Sequence, residues 1–181
     1  MDLREAVESL ASPDLGRRAT GGVQLYRAGR DLTDQLFGQW KQDPQFAVLV
    51  TGEPVVGVAV PPDLFERIRR QMNIGHVADV PPEQCTAEFE LRVEGILLDI
   101  LTPVDGDGAI QKFLDRFGPG VQQVELPVSD VAAATEILKT RFQLQPVYPE
   151  PRPGSDGTRV NFFLAPAAKG KKVLVELFQP R

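Results

Sequence analysis

Residues 120–142 read GVQQVELPVSDVAAATEILKTRF, and this stretch predicts a strand that runs directly into a helix. Val121–Val128 is the apolar strand, Ser129-Asp130 supplies residue types that cap helix N-termini, and Val131–Phe142 is the helix. Further strand candidates follow at Leu144–Tyr148, Arg159–Leu164 and Val173–Phe178. The C-terminal part of the chain therefore predicts one strand, one helix and then more strands.

The same order of elements occurs once before, from residue 54 onward. Its predicted elements are the strand Pro54–Val60, the helix Leu64–Met72 and the strands Thr86–Arg92 and Ile96–Leu101. The final strands of the two copies also agree in chemistry, because Asp99 and Glu176 are each the one carboxylate in an apolar run. We interpret the copies as two βαβββ modules, about 54–103 and 121–180, joined by a short amphipathic helix within 106–120.

A single βαβββ module cannot bury both faces of its sheet. We therefore expect the two modules to pair into a curved sheet with a central cleft, which is an α+β fold. A lone acid in an apolar strand must face either solvent or a polar pocket, so Asp99 and Glu176 are expected in the cleft. In this arrangement Asp99 superposes on Glu176, and Val55 superposes on Gln123.

Residues 1–50 predict a mainly helical extension that packs on the following domain. Asp2–Leu10 is a short helical pattern, and the glycines at positions 16, 21 and 22 indicate loops. Asp31–Gln42 predicts a helix with one apolar stripe, formed by Leu32, Leu36 and Trp40. Phe46–Val50 is a short apolar run that fits a buried strand.

Composition excludes several classes of protein. The chain has 181 residues, of which 42% are hydrophobic and 25% charged, so a globular fold is expected. A net charge of −5 argues against nucleic-acid or anionic-membrane partners. No apolar run approaches the roughly 18 residues of a membrane span, and the acidic start does not resemble a secretory signal. We therefore expect a soluble, cytoplasmic protein.

Two scarce residue types restrict the chemistry. Cys85 is the one cysteine, which excludes an internal disulfide and a cysteine-based metal site. His76 is the one histidine, which excludes a two-histidine metal site within one chain, and we read it as a surface or loop residue. Any proton transfer must therefore rest mainly on carboxylates.

Four spaced stretches resemble the vicinal oxygen chelate superfamily, which includes glyoxalase I, bleomycin-resistance proteins and extradiol dioxygenases. They are PPEQCTAEFEL, ILLDILTPVDGDGAIQKFLDRFGPGVQQVELPVSD, EPRPGSDGTRVNFF and VLVELFQ. The resemblance spans about residues 79–179 and is strongest to the methylmalonyl-CoA epimerase family. It implies a glyoxalase-like domain over 51–181 that binds a small molecule between its modules, and it implies a homodimer.

The resemblance also implies where a metal site would lie. In the epimerase family four side chains from four strands hold the metal, and these positions fall on Val55, Asp99, Gln123 and Glu176. The position of the base used by some epimerases falls on Glu88. Both histidine positions of the family are thus changed, to Val55 and Gln123, which removes the imidazoles that zinc, cobalt and nickel favour.

The carried-over ligand set is therefore a degenerate metal site. Asp99, Gln123 and Glu176 form a set of hard oxygen donors that could hold magnesium, manganese or calcium only weakly. No other cofactor is expected. Two alternatives stay open for Asp99 and Glu176: they hold such a cation or move a proton, or they hydrogen-bond to Gln123 and water.

Other charged residues near the expected cleft have ordinary and functional interpretations. Glu88 lies on an alternating polar face, which is typical of a solvated strand, and Glu125 shares the face of Gln123. Two basic clusters fit either a phosphorylated ligand or a solubilising surface: Arg67, Arg69 and Arg70, and Lys169, Lys171 and Lys172. Arg152 lies in a turn that, by the resemblance, is near the mouth of the cleft.

Two classes of function follow. The first is a glyoxalase-like protein with a degenerate metal site that binds a small molecule or acts structurally, without catalysis. The alternative is an isomerase or lyase similar to methylmalonyl-CoA epimerase, with the carboxylates of Glu88 and Glu176 as the catalytic groups that abstract a proton beside a carbonyl.

Overall fold

The computed structural model describes residues 2–167 and 171–181, and the chain divides into two compact units. Unit 1 comprises Met1–Ala28 and Val55–Gln122, and unit 2 comprises Gly29–Pro54 and Gln123–Arg181. The helices are α1 (Leu3–Ser9), α2 (Leu15–Trp40), α3 (Pro44–Ala47), α4 (Pro62–Gln71), α5 (Ala109–Phe117) and α6 (Val131–Arg141). The strands are β1 (Val55–Ala59), β2 (Thr86–Val93), β3 (Ile96–Pro103), β4 (Gly120–Pro127), β5 (Arg152–Pro153), β6 (Arg159–Pro166) and β7 (Lys172–Gln179). Helices and mixed strands in this order confirm the α+β class and the helical N-terminal part.

The strands of unit 1 are ordered β2-β3-β1, with β2 antiparallel and β1 parallel to β3. One face of these strands is covered by α4, whose buried Phe65 has its ring 4.6 Å from that of Phe89. The opposite face carries Ala59 and Leu101, which form a buried cluster with Ile110 of α5. Both faces of the β3 end are therefore covered by helices of the same unit.

The strands of unit 2 are ordered β4-β7-β6-β5, with β4 parallel to β7 and the remaining pairs antiparallel. Helix α6 begins at Val131, because the side chain of Asp130 accepts a hydrogen bond from the backbone N–H of Ala133. Asn161 of β6 is fully buried and donates to the hydroxyl of Thr135 on α6, so α6 covers this face.

The apolar stripe of α2 ends in an aromatic cluster within unit 2. Trp40 is 1% exposed, and its ring centroid lies 5.7 Å from that of Phe46 and 6.5 Å from that of Phe142. Leu36 is buried and Leu32 is partly buried. These contacts join the end of α2, α3 and the end of α6.

The loop prediction for Gly16 and Gly21-Gly22 was wrong, because α2 runs without a break from Leu15 to Trp40. A Cβ at Gly21 would lie 1.9 Å from Oγ of Ser9 and 2.6 Å from the carbonyl oxygen of Ala6. Glycine is therefore used here for the close approach of α1 to α2, and it does not end the helix.

Two predicted strands were also wrong. Within the predicted strand Phe46–Val50, Phe46 and Ala47 belong to α3, and Val50 forms only an isolated bridge to Val128. Helix α3 begins at Pro44 because the Asp43 carboxylate accepts hydrogen bonds from the backbone N–H groups of Gln45 and Phe46. Over Leu144–Tyr148 there is only an isolated bridge from Pro146. The short strand of this region is β5, a few residues further on.

The first module also has one strand fewer than the predicted βαβββ. Between α4 and β2 the described chain forms no strand. A backbone hydrogen bond of 2.9 Å joins this segment to β2, from the N–H of Ala78 to the carbonyl oxygen of Glu88. Pro81 and Pro82 follow directly, and proline lacks the N–H that a strand needs for pairing.

Among the described residues, no helix is long and apolar enough to cross a membrane.

Candidate functional site

The strands of unit 2 bring polar residues together on the sheet face opposite α6. Gln123 and Glu125 alternate on β4, and Glu125 is the register partner of Glu176 on β7. Register partners on parallel strands point to the same face of the sheet. We call this surface, defined by Gln123, Glu125 and Glu176, the carboxylate face.

One amide group links the two carboxylates of this face. Nε2 of Gln123 donates to Oε2 of Glu176 at 2.7 Å and to Oε1 of Glu125 at 3.1 Å. A primary amide nitrogen carries two hydrogens, so these two bonds use its full donor capacity. Gln123 is 6% exposed and Glu125 8% exposed, whereas Glu176 is half-buried. The cluster is thus a neutral donor between two acceptors that are largely shielded from solvent.

The orientation of the Gln123 amide follows from its neighbours. If the amide were turned around, its carbonyl oxygen would face two carboxylates with no hydrogen between them. The observed orientation directs to Glu125 and Glu176 an amide nitrogen, which is not a metal ligand.

Aromatic and apolar side chains border the carboxylate face. Phe162 of β6 is the register partner of Glu176, and Leu174 and Phe178 lie two positions to either side of Glu176 on β7. Phe162 is half-buried, and the ring of Tyr148 meets it edge-on at a centroid distance of 6.1 Å. The polar cluster therefore lies beside a wall that suits the apolar part of a small ligand.

Unit 1 places the other predicted site residues on its own strands. Asp99 of β3 is 7% exposed, and its register partners are Gly57 on β1 and Glu90 on β2. Glu88 is half-buried and pairs with Leu101, two positions from Asp99 along the ladder. Val55, which lies two positions before Gly57, is 6% exposed.

The strand register repeats between the modules even though the side chains differ. Gly57 pairs with Asp99 in one module, and Glu125 pairs with Glu176 in the other. Two positions upstream of each first partner lie Val55 and Gln123, as the sequence repeat predicts. Where the second module has an amide and a carboxylate, the first module thus has Val55 and Gly57, which offer no side-chain ligand atom.

Within residues 2–167 and 171–181, no group of three or more His, Cys, Asp or Glu side chains is placed to hold a metal ion. His76 is exposed and lies in the segment without helix or strand before β2. Cys85 has a left-handed backbone conformation at the end of a short 3₁₀ turn.

Of the two predicted basic clusters, the first forms ion pairs with carboxylates, and the second lies partly outside the described residues. Arg69 forms a 2.9 Å ion pair with Glu66, and this contact raises the pKa of Arg69 and lowers the pKa of Glu66. Arg67 lies 3.5 Å from Glu8. These contacts favour the interpretation of the first cluster as an ordinary charged helix surface. Lys169, in the second cluster, lies outside the described residues.

Glu125 is the residue of this site that sequence reasoning left undecided. Period-two alternation put it on the face of Gln123, but alternation alone does not say which face of a strand meets a neighbouring carboxylate. The parallel register with β7 supplies that information, because it sets Glu125 opposite Glu176.

No protein-family model and no curated protein sequence matches this chain. Solved structures do match it, with TM-scores of 0.61 and 0.58 for two of them. On the basis of this similarity, the chain belongs to the vicinal oxygen chelate superfamily. The particular proteins it resembles within that superfamily are methylmalonyl-CoA epimerases.

The epimerase from Mycobacterium tuberculosis is 33% identical to this chain, with a TM-score of 0.61, and the match covers 74% of this chain and 90% of that one. A variant of the Streptomyces coelicolor epimerase in complex with 2-nitronate-propionyl-CoA is 28% identical, with a TM-score of 0.60, and the match covers 72% and 97%. A methylmalonyl-CoA epimerase in complex with methylmalonyl-CoA and NH4+ is 28% identical, with a TM-score of 0.59, and the match covers 72% and 94%.

Proposed function

We propose that this chain is a non-catalytic, ligand-binding member of the superfamily, in which an amide replaces a metal ion between the carboxylates. The observation that supports this proposal is the donation of both Gln123 amide hydrogens, to Glu125 and to Glu176. Each carboxylate thereby accepts a hydrogen bond from a neutral protein group, at the place where a metal ion between the carboxylates would otherwise bind.

The donor set does not fit a tightly held transition metal. Zinc, cobalt and nickel favour imidazole or thiolate ligands, whereas the positions carried over from the family hold Val55, Asp99, Gln123 and Glu176. A hard cation such as magnesium or calcium would have to break the short Gln123–Glu176 hydrogen bond. Binding of such a cation is therefore expected to be weak.

The same geometry argues against proton abstraction. Removing a proton beside a carbonyl creates an enolate, which needs a cation or hydrogen-bond donors at its oxygen. On the carboxylate face the amide of Gln123 has no hydrogen left to donate. Glu125 and Glu176 would repel the developing negative charge. The isomerase alternative therefore lacks its stabilising group on this face.

The ligand class is proposed from the relatives. Epimerases similar to this chain are described in complex with coenzyme A thioesters. We propose that this chain binds a small molecule of that class along the carboxylate face and does not turn it over. A homodimer is proposed on the same resemblance, and sedimentation equilibrium of the purified protein measures it directly.

The test uses chelator-treated protein and two measurements. Calorimetric titration with zinc, cobalt and magnesium should show no micromolar binding by the parent. Gln123→His, which introduces an imidazole beside Glu125 and Glu176, should raise the affinity for zinc and cobalt. Gln122→His, one residue away and on the opposite strand face, should not.

The second measurement separates binding from turnover. Propionyl-CoA and methylmalonyl-CoA are titrated into the protein, and deuterium exchange at the carbon beside the thioester carbonyl is followed by NMR. We expect saturable binding without exchange above the uncatalysed rate. Micromolar zinc binding by the parent protein would instead support the isomerase alternative. Deuterium exchange that occurs in the parent and disappears in Glu176→Gln would support it as well.

A further inference from the structure

Arg152 carries a charge that the rest of the described chain does not neutralise. Its guanidinium carbon lies 3.9 Å from the centroid of the Tyr148 ring, which is a close cation–π contact. The residue is exposed, and none of the ion pairs among residues 2–167 and 171–181 involves it. An arginine that stacks on an aromatic ring and has no carboxylate partner keeps its N–H donors available for an external anion.

Strand register places this arginine on the carboxylate face. Arg152 of β5 pairs with Val160 of β6, and Val160 lies two positions from Phe162, the partner of Glu176. Residues two apart on a strand, and direct antiparallel partners, point to the same side of a sheet. Arg152 and Glu176 are separated by two strand spacings across the sheet and by two residues along it. Their Cα atoms are therefore about 12 Å apart.

A buried amide holds the platform on which Arg152 stacks. Asn161 is fully buried, accepts from the backbone N–H of Tyr148 at 3.3 Å and donates to the backbone carbonyl of Tyr148 at 3.1 Å. Both backbone groups of Tyr148 are thus bound by one side chain that points toward α6. The Tyr148 ring in turn lies edge-on to Phe162. The position of the guanidinium is therefore set by groups of the same unit.

We propose that Arg152 is an anion-binding site that takes a carboxylate or phosphate group of the ligand. Guanidinium groups bind both anions through paired N–H donors, and stacking through the central carbon keeps those donors at the rim of the ring. Glu125 and Glu176 repel the same anion, so the ligand lies with its anionic end at Arg152. Its uncharged or donor-bearing end then lies across Phe162, toward Gln123.

This inference rests on the proposed function only in placing the ligand on the carboxylate face. The test therefore uses simple probes, sodium malonate and inorganic phosphate, at constant ionic strength. Each is titrated into the full chain, and binding is followed through the side-chain Nε–Hε NMR signals of arginine. A preference for malonate assigns a carboxylate, and a preference for phosphate assigns a phosphate group.

The variants separate recognition from general charge. Arg152→Gln should weaken binding by about tenfold or more, because hydrogen bonds between charged groups are lost. Tyr148→Phe should retain the affinity, and Tyr148→Leu, which keeps the backbone contacts to Asn161, should lose part of it. Arg159→Gln is the matched control, because Arg159 lies beside Arg152 on the opposite strand face. It should change binding by less than about twofold, since it removes only distant charge.

Specific outcomes would overturn the inference. Equal losses in Arg152→Gln and Arg159→Gln would mean that only net charge matters, and unchanged binding in Arg152→Gln would place the anion elsewhere. Saturable binding that depends on Arg152, without any binding of coenzyme A thioesters, would keep the anion site and reject the proposed ligand class. Circular dichroism of each variant checks that the fold is intact.

Discussion

Replacement of Gln123 by leucine removes the amide group that links Glu125 to Glu176. The substitution keeps the approximate size of the side chain but deletes two hydrogen bonds, of 2.7 Å and 3.1 Å, to carboxylates. Each hydrogen bond to a charged group contributes about 1.5–3 kcal/mol, so the two together contribute about 3–6 kcal/mol. Glu176 is half-buried and regains water, which puts the expected loss near the lower end, about 3 kcal/mol.

Denaturant unfolding at pH 7 measures this loss, and thermal unfolding should show a decrease in Tm of about 6–12 °C for a chain of this length. Gln122→Leu is the matched control, because Oε1 of Gln122 is buried without a hydrogen-bond partner among the described residues. Removing an unsatisfied group should leave the free energy of unfolding unchanged or raise it. A loss below about 0.5 kcal/mol in Gln123→Leu, or an equal loss in Gln122→Leu, would refute the amide-bridge argument.

Three further predictions concern the described contacts outside the carboxylate face. Gly21→Ala should destabilise the protein by about 1–3 kcal/mol, because the new Cβ would clash with α1. Gly38→Ala should stabilise the protein by about 0.5–1 kcal/mol, because nothing lies within 4 Å of the new Cβ and alanine favours the helix. Chemical denaturation measures the free energy of unfolding of both variants. Arg141→Gln should lower stability at neutral pH, because the hydrogen bond from the Arg141 side chain holds the pKa of Asp43 below its ordinary value of 3.8. The difference between parent and variant should be present above pH 3.8 and disappear as the pH falls through the folded-state pKa of Asp43, as unfolding at several pH values would show. Trp40→Ala should cost about 3–5 kcal/mol, and an undiminished Tm would show that its aromatic contacts add little.

Local sequence determined most of the element order. The helix predicted over Val131–Phe142 is observed as Val131–Arg141, because the cap that starts it is a side chain one residue away. The strands predicted over Arg159–Leu164 and Val173–Phe178 were found with only short extensions, since alternating burial is already visible in their residues. Signals of this kind depend on neighbours in sequence, and the sequence therefore contains them.

Tertiary packing decided the places where the prediction was wrong. Gly21 has the local signature of a loop, but its role is to let α1 approach the middle of a continuous α2. Phe46 has the local signature of a buried strand residue, but Asp43 and Pro44 start a helix that packs it against Trp40. In both cases a contact between segments outweighed the intrinsic preference of the residue.

The candidate site divides in the same way. The sequence by itself supplied Asp99 and Glu176 as carboxylates in apolar strands and Glu88 on a polar face, and the family resemblance added Gln123. The linkage of Gln123 to Glu176 joins residues 53 positions apart in sequence, and only the parallel register of β4 and β7 brings them to 2.7 Å. The placement of Arg152 on the same face likewise depends on the pairing of β5 with β6. Side-chain type is a property of the chain, whereas which donor meets which acceptor is set by strand register, and register is fixed only when the sheet forms.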